Sequence, residues 1–175
     1  MKLRLLLAAA LCLSTAALAE APPDAKTAFT GLKTLAGAWE GQLTTDLKEP
    51  DPALPQGTKV KVWLRVTSMG NALMHEMKTE GRPDNPITML YLDEGRLLLT
   101  HYCDAGNRPR MVAKPSTDGK TVAFEFLDVA GPMKYGHMHD AAFTMVDADH
   151  HVEEWSFHLP GDKHVRARFD LRRVQ

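Results

Sequence analysis

The sequence contains little cysteine: only Cys12 and Cys103 occur in its 175 residues. Cys12 lies in an N-terminal segment that we expect to be removed, so the mature chain keeps one thiol and cannot form an internal disulfide. A long apolar run is also lacking, because the stretch from Leu5 to Leu13 is too short to span a bilayer. The sequence therefore predicts neither a disulfide-stapled scaffold nor a stable membrane anchor.

The chain also lacks a charge excess of either sign, with 21 Lys and Arg against 22 Asp and Glu. Proteins that bind nucleic acid or anionic membranes carry clustered excess positive charge. We therefore expect no nucleic-acid partner.

The first residues of the chain predict its cellular location. Lys2 and Arg4 precede the apolar run, and Ala17-Leu18-Ala19 supplies small residues at the positions of a cleavage site. This pattern is typical of a secretory signal peptide at 1–19, with cleavage after Ala19. A linker at 20–23 and one domain at 24–175 follow, and we expect a secreted, periplasmic, monomeric protein.

Helical periodicity is scarce, and one segment alone shows it. Asp24 is a suitable N-cap, apolar residues then recur at three- and four-residue steps up to Ala36, and Gly37 is the expected stop. The rest of the chain alternates apolar and polar residues in short runs separated by turns. This pattern predicts an all-β protein: a single up-and-down antiparallel β-barrel of about 9–10 strands with one short N-terminal helix.

One predicted strand carries reactive residues at its end. Leu97, Leu99, His101 and Cys103 are spaced two apart, so they should share one face of the strand. We expect the following segment, 106–110, to be a turn whose Arg108 and Arg110 overhang the barrel rim and can clamp an anion.

A second strand carries His137 and His139 at the same spacing. Imidazole and thiolate ligands suit zinc or copper, so His101, Cys103, His137 and His139 form a candidate metal site if the two strands meet. The same four residues can instead serve as polar groups of an organic-ligand pocket or as satisfied core residues. His150, His151, Glu153 and Glu154 fall near a turn and are interpreted as a solvated face.

Four blocks of the sequence carry a resemblance. Gly37-Ala38-Trp39 resembles the Gly-x-Trp start of calycin barrels, the lipocalins and their relatives, and the resemblance implies that Arg172 or Arg173 covers Trp39. The stretches 89–111, 136–139 and 153–157 are similar to secreted, lipocalin-like bacterial proteins of unassigned function. Haem barrels of the nitrobindin type share this helix-then-meander plan, although no residue here matches their haem ligand.

The function that we predict is binding of a small, partly apolar molecule inside the barrel, without an assigned catalytic residue or cofactor. The expected ligand-binding residues are His101, Cys103, Arg110, His137, His139, Trp39, Phe124 and Trp155. One alternative is a zinc-, copper- or haem-binding barrel that uses His101, Cys103, His137 and His139. Another is a solidly packed structural or interaction domain without a ligand.

Overall fold

The computed structural model describes residues 24–49, 55–114, 118–161 and 163–174. The predicted signal peptide and linker lie outside these residues. The described elements are α1 (Ala25–Lys33), β1 (Gly37–Thr45), β2 (Lys59–Thr67), β3 (Ala72–Thr79), β4 (Ile87–Asp93), β5 (Arg96–Tyr102), β6 (Arg108–Lys114), β7 (Thr121–Ala130), β8 (His137–Asp147), β9 (His150–Leu159) and β10 (Lys163–Arg173), with a single 3₁₀ turn at Ser68–Gly70.

The ten strands close into one antiparallel barrel in which each strand pairs with its neighbours in sequence and β1 pairs with β10. Closure leaves no strand edge exposed, which is why a meander of this length forms a barrel rather than an open sheet. The predicted fold class, including its single short helix, is confirmed. None of the helices in the described part of the chain is long and apolar enough to cross a membrane.

The helix begins where the sequence predicts and ends earlier. The Asp24 carboxylate accepts a hydrogen bond from the Thr27 backbone N–H at 2.7 Å, which satisfies one of the free donors of the first turn. The helix ends at Lys33 with Thr34 as its C-cap, whereas Gly37 is already the first residue of β1. Gly37 was therefore wrongly predicted as the helix stop. Its φ of 143° serves the entry into the strand.

Helix α1 lies across one end of the barrel. Its Phe29 and Leu32 are buried in the hydrophobic core, and the helix contacts β4 and β5. On another side, Lys33 Nζ lies 3.4 Å from the Gly70 carbonyl oxygen in the β2–β3 connection. Contacts with separate parts of the barrel mean that the helix closes this end.

Beside the helix, the basic residue that covers Trp39 is Arg173. Its guanidinium carbon lies 4.1 Å from the centre of the fully buried indole ring. The same group donates hydrogen bonds to the carbonyl oxygens of Ala36 at 2.9 Å and Thr34 at 3.2 Å. Arg173 thus ties the last strand to the first strand and to the end of the helix.

We expect Arg173→Ala to lower the free energy of unfolding by about 1–2 kcal/mol, because it removes a partly desolvated cation–π contact and charged hydrogen bonds. The exposed Arg172 provides the matched control, and Arg172→Ala should change stability by less than about 0.5 kcal/mol. Urea denaturation of both variants measures the difference. Equal losses would contradict the role assigned to Arg173.

Strand β6 starts earlier than the sequence predicts. Arg108 and Arg110 are strand residues that pair with Ala130 and Asp128 of β7, so the expected overhanging loop at 106–110 is wrong. The turn is completed by residue 107, because the Asn107 side-chain amide donates to the carbonyl oxygens of Pro132 and Gly136 and anchors the chain there. Two fixed bonds at the turn allow the strand to begin at the next residue.

Candidate ligand site

The barrel contains a cavity of about 360 Å³ at the end opposite α1. Its mouth lies among the β3–β4 connection, the β5–β6 connection and the β9–β10 hairpin. Most of its wall is apolar, and a few polar groups converge at its inner end. The lining residues are Leu43, His75, Met77, Thr79, Arg82, Asp84, Pro86, His101, Cys103, Asp104, Met138, Trp155, Phe157, Leu159, Val165, Ala167 and Phe169.

His101 projects inward from β5 and is 4% exposed. Its Nδ1 lies 2.8 Å from the Thr88 hydroxyl oxygen, while its Nε2 has no hydrogen-bond partner among the described residues. Burial, with a smaller contribution from the nearby His75, lowers the pKa of His101 from 6.5 to about 3. The imidazole is therefore neutral at physiological pH.

The neutral ring carries its proton on one nitrogen only. Within the described part of the chain, the buried Thr88 hydroxyl has His101 Nδ1 as its hydrogen-bond partner, and donation to that nitrogen satisfies the hydroxyl hydrogen. With the Thr88 hydroxyl as the donor to Nδ1, the ring proton sits on Nε2. His101 lines the cavity and its buried Nε2–H has no acceptor among the described residues, a condition that the acceptor of a ligand would relieve.

Deeper in the barrel, Glu153 is completely buried and accepts hydrogen bonds from three side chains. Nε2 of His75 lies 3.0 Å and 3.2 Å from the two carboxylate oxygens. Nε2 of His151 and Nε1 of Trp155 each lie 3.0 Å from one oxygen. Such a network positions the indole ring that lines the cavity.

The Glu153 carboxyl is ionised despite its burial. Burial raises its pKa, but the charge of His75 and the hydrogen bonds from His151 and His75 more than offset that effect, so the net pKa is lowered. A buried carboxylate needs hydrogen-bond donors that compensate its charge, and Nε2 of His75 lies within hydrogen-bond distance of both oxygens. His75 also lines the cavity, so this buried network borders the space that a ligand would occupy.

Cys103 lines the same cavity as His101, as the two-residue spacing predicts. Its side chain is half-buried, and burial raises the pKa of the thiol. The protonated thiol adds a polarizable, weakly polar surface to the wall rather than a reactive thiolate.

The other predicted ligand-binding residues lie in different places. Trp155 lines the cavity and lies between two histidines, with ring centres 5.8 Å from His75 and 5.4 Å from His101. Trp39 is buried near α1, and Phe124 packs edge-to-face on Phe143 in the core; neither lines the cavity. Arg110 points outward and binds Asp128 through its Nε at 2.8 Å and through a second, short bond.

His137 and His139 face away from the cavity and contact each other at 3.0 Å between Nε2 and Nδ1. Both rings pack against Phe126, and His139 stacks on His158. The structure thus places His101 and Cys103 in one group and His137 and His139 in another. Among the described residues the four do not form one metal-binding group.

The sequence interpretation of a solvated face at residues 150–154 is wrong for two of its four members. His151 and Glu153 are fully buried, whereas His150 and Glu154 point outward. The signal was present, because both buried residues are an even number of positions from the inward Trp155. The spacing therefore predicts an inward direction, and the solvated face was inferred from the polarity of these residues alone.

Charged side chains surround the cavity mouth. Arg82 forms an ion pair with Asp104 at 3.2 Å, and the Asp84 carboxylate accepts from the Asp104 backbone N–H at 3.1 Å. Both contacts join the β3–β4 connection to the β5–β6 connection. The mouth is therefore polar while the wall behind it is apolar.

No family model matches the sequence, and no curated protein matches it. Solved structures do share its fold. Rv2717c from M. tuberculosis superposes with a TM-score of 0.63 at 15% identity, covering 85% of this chain and 98% of that one. A protein of unknown function from the DUF3598 family of Nostoc punctiforme superposes with a TM-score of 0.57 at 15% identity, covering 82% of this chain and 48% of that one. The chain is therefore a ten-stranded antiparallel barrel of a kind found in these structures.

Proposed function

We propose that this protein binds a small, largely apolar molecule that carries an oxygen acceptor, with the acceptor bound to His101 Nε2. The observation that carries this proposal is a buried ring nitrogen without a hydrogen-bond partner among the described residues, Nε2 of His101, on a side chain that lines a largely apolar cavity. Leaving such a donor unsatisfied costs about 1–3 kcal/mol, which binding of a carbonyl, hydroxyl or carboxylate oxygen would recover.

The wall supports an apolar ligand body. Trp155, Phe157 and Phe169 supply aromatic surface, while Met77 and Met138 supply flexible thioether side chains that adapt to different shapes. The volume of about 360 Å³ lies near the lower end of the usual range for small-molecule sites. A cavity of this size also argues against a solidly packed domain without a ligand.

We further propose that the protein acts as a secreted, monomeric, lipocalin-like carrier. The predicted signal peptide supports secretion, and the Arg173–Trp39 contact agrees with the calycin resemblance of Gly37-Ala38-Trp39. Native mass spectrometry of protein isolated from its own host tests these properties. Loss of residues 1–19 would support secretion, the mass of the particle gives the oligomeric state, and a bound organic molecule would support the carrier function. An unmodified apo mass, with no organic molecule recovered on extraction, would count against the carrier function.

We expect His101→Phe to weaken binding of the recovered molecule at least tenfold, since the variant keeps the ring and loses the donor. Titration followed by intrinsic tryptophan fluorescence, to which Trp155 of the cavity wall contributes, gives the dissociation constant. His150→Phe is the matched control, because His150 contacts Asp170 on the outer surface and lies outside the cavity wall. Equal affinities of the His101 variant and the wild type would refute the assigned contact.

A further inference from the structure

We propose a binding site for a divalent transition-metal ion on the outer surface of the barrel, formed by His139, Asp140 and His158. One ligand atom from each residue lies within 4.8 Å of the other two. In the described part of the chain, this is the one group of three or more histidine, cysteine or acidic side chains close enough to share an ion. None of the three lines the cavity, so the site is separate from the proposed ligand site.

A β-bulge explains how two consecutive residues can reach the same ion. In a regular strand His139 and Asp140 would project to opposite faces. The pairing of β8 with β9 shifts register between Met138 and Asp140, so His139 is the extra residue of a bulge. Bulges redirect side chains locally, and this one brings both residues towards His158 of β9.

The two imidazole rings are already arranged side by side. His139 and His158 are stacked with their centres 3.7 Å apart and an angle of 11° between their planes. Zinc–nitrogen bonds of about 2.0–2.1 Å place two nitrogen ligands of one ion about 3.0–3.4 Å apart. The stack keeps the two rings close enough to supply such a pair of nitrogens after a tilt that points their in-plane lone pairs at one ion. A carboxylate oxygen of the half-buried Asp140 lies within 4.8 Å of a ligand nitrogen of each ring.

Neighbouring groups hold His139 in position. Phe126 stacks on its ring with centres 4.7 Å apart, and His137 Nε2 lies 3.0 Å from its Nδ1. A metal-binding histidine usually donates its second N–H to a hydrogen-bond acceptor, which fixes the tautomer, and the His137 ring nitrogen can serve as that acceptor here. Donation from Nδ1 of His139 to His137 leaves the Nε2 lone pair available for the ion.

The ligand set indicates the class of ion. Calcium and magnesium prefer ligand shells composed of oxygen, whereas two imidazoles with one carboxylate suit zinc and its first-row neighbours. Three protein ligands leave a position for water. We therefore assign the site to Zn²⁺.

The test is titration of Zn²⁺ into chelator-treated protein, followed by calorimetry and native mass spectrometry. We expect one ion per chain and a raised melting temperature. His158→Phe and the milder Asp140→Asn should each weaken binding at least tenfold. The matched controls are His150→Phe and Asp128→Asn, whose parent residues are engaged with Asp170 and Arg110 respectively, and both should bind Zn²⁺ like the wild type.

Absence of stoichiometric Zn²⁺ binding would overturn the proposal, as would retention of wild-type affinity in both site variants. An equal loss of affinity in the controls would show dispersed surface binding and would also overturn it. Circular dichroism of the metal-free variants checks their fold, and Asp140→Asn preserves the shape of its side chain if the histidine variant is unstable. Binding of the organic ligand should be unchanged in all four variants, which separates this site from the cavity.

Discussion

Replacing Glu153 by glutamine is expected to lower the free energy of unfolding by about 3–5 kcal/mol, because it removes the charged acceptor on which three buried side chains converge. The glutamine keeps the volume of the side chain, so the loss reports charge and hydrogen bonding rather than a cavity. Its amide nitrogen would also face donors from His75, His151 or Trp155, which now share the carboxylate oxygens. Urea denaturation at pH 7 measures the difference.

Glu154 offers a matched control on the next residue. It carries the same side chain, but it is exposed on the outer face and pairs with Arg168 at 3.3 Å. Exposed pairs contribute at most about 1 kcal/mol, so Glu154→Gln should have a small effect. A loss below about 1 kcal/mol in Glu153→Gln would contradict the role assigned to the buried Glu153 carboxylate.

The pH dependence of stability in the acidic range provides a second test with the same variant. Because folding lowers the pKa of Glu153, its contribution to the free energy of unfolding is fully present above pH 4.5, the ordinary pKa of glutamate. That contribution is lost as the pH falls below this value. Wild-type stability should therefore decline in this acidic range, and Glu153→Gln should decline less steeply. Parallel curves would show that folding does not lower the pKa of Glu153.

The second large effect concerns His101 at milder acidity. The pKa of His101 falls from 6.5 to about 3 on folding, so below 6.5 the unfolded chain binds a proton that the folded protein does not. The contribution of His101 to the free energy of unfolding is complete above pH 6.5. Below that pH it falls by about 1.4 kcal/mol per pH unit, down to about pH 3. At pH 5 the loss should reach about 2 kcal/mol.

His101→Phe removes this proton linkage while it keeps a buried ring. The fall in unfolding free energy between pH 7.5 and pH 5 should be about 2 kcal/mol smaller in the variant than in the wild type. Burial also lowers the pKa values of His137 and His158, but both residues remain in the variant, so their contributions cancel in the comparison. An unchanged pH dependence would mean that His101 titrates normally inside the barrel.

The positions of His101 and Glu153 could not be predicted equally well from the sequence. The apolar residues that precede His101 at two-residue steps predict its inward direction, and the structure places it at the inner end of the cavity. Glu153 follows the same rule relative to Trp155, yet its charge favoured the interpretation of a solvated face. Residue type outweighed spacing in that interpretation, because a buried carboxylate is stable only when distant partners compensate it.

Those partners could not be identified from local pattern. His75 lies 78 residues from Glu153 in the chain, and the two meet only because the barrel closes. The metal-binding group on the outer surface depends on a bulge at His139, and bulges have no reliable sequence signature. Even so, the short turn between β8 and β9 places His158 opposite the His137–His139 segment, and that pairing could have been predicted from the hairpin.

By itself, the sequence determined the antiparallel barrel, the helix N-cap at Asp24 and the inward face that carries His101 and Cys103. These features follow from the two-residue and 3.6-residue periods, which are local properties of the backbone. The tertiary structure decided that Arg173 rather than Arg172 covers Trp39, that Glu153 joins His75 and His151, and that Arg110 lies outside the barrel. Each of these depends on strand register and closure, through which residues far apart in the chain come within a few ångströms of one another.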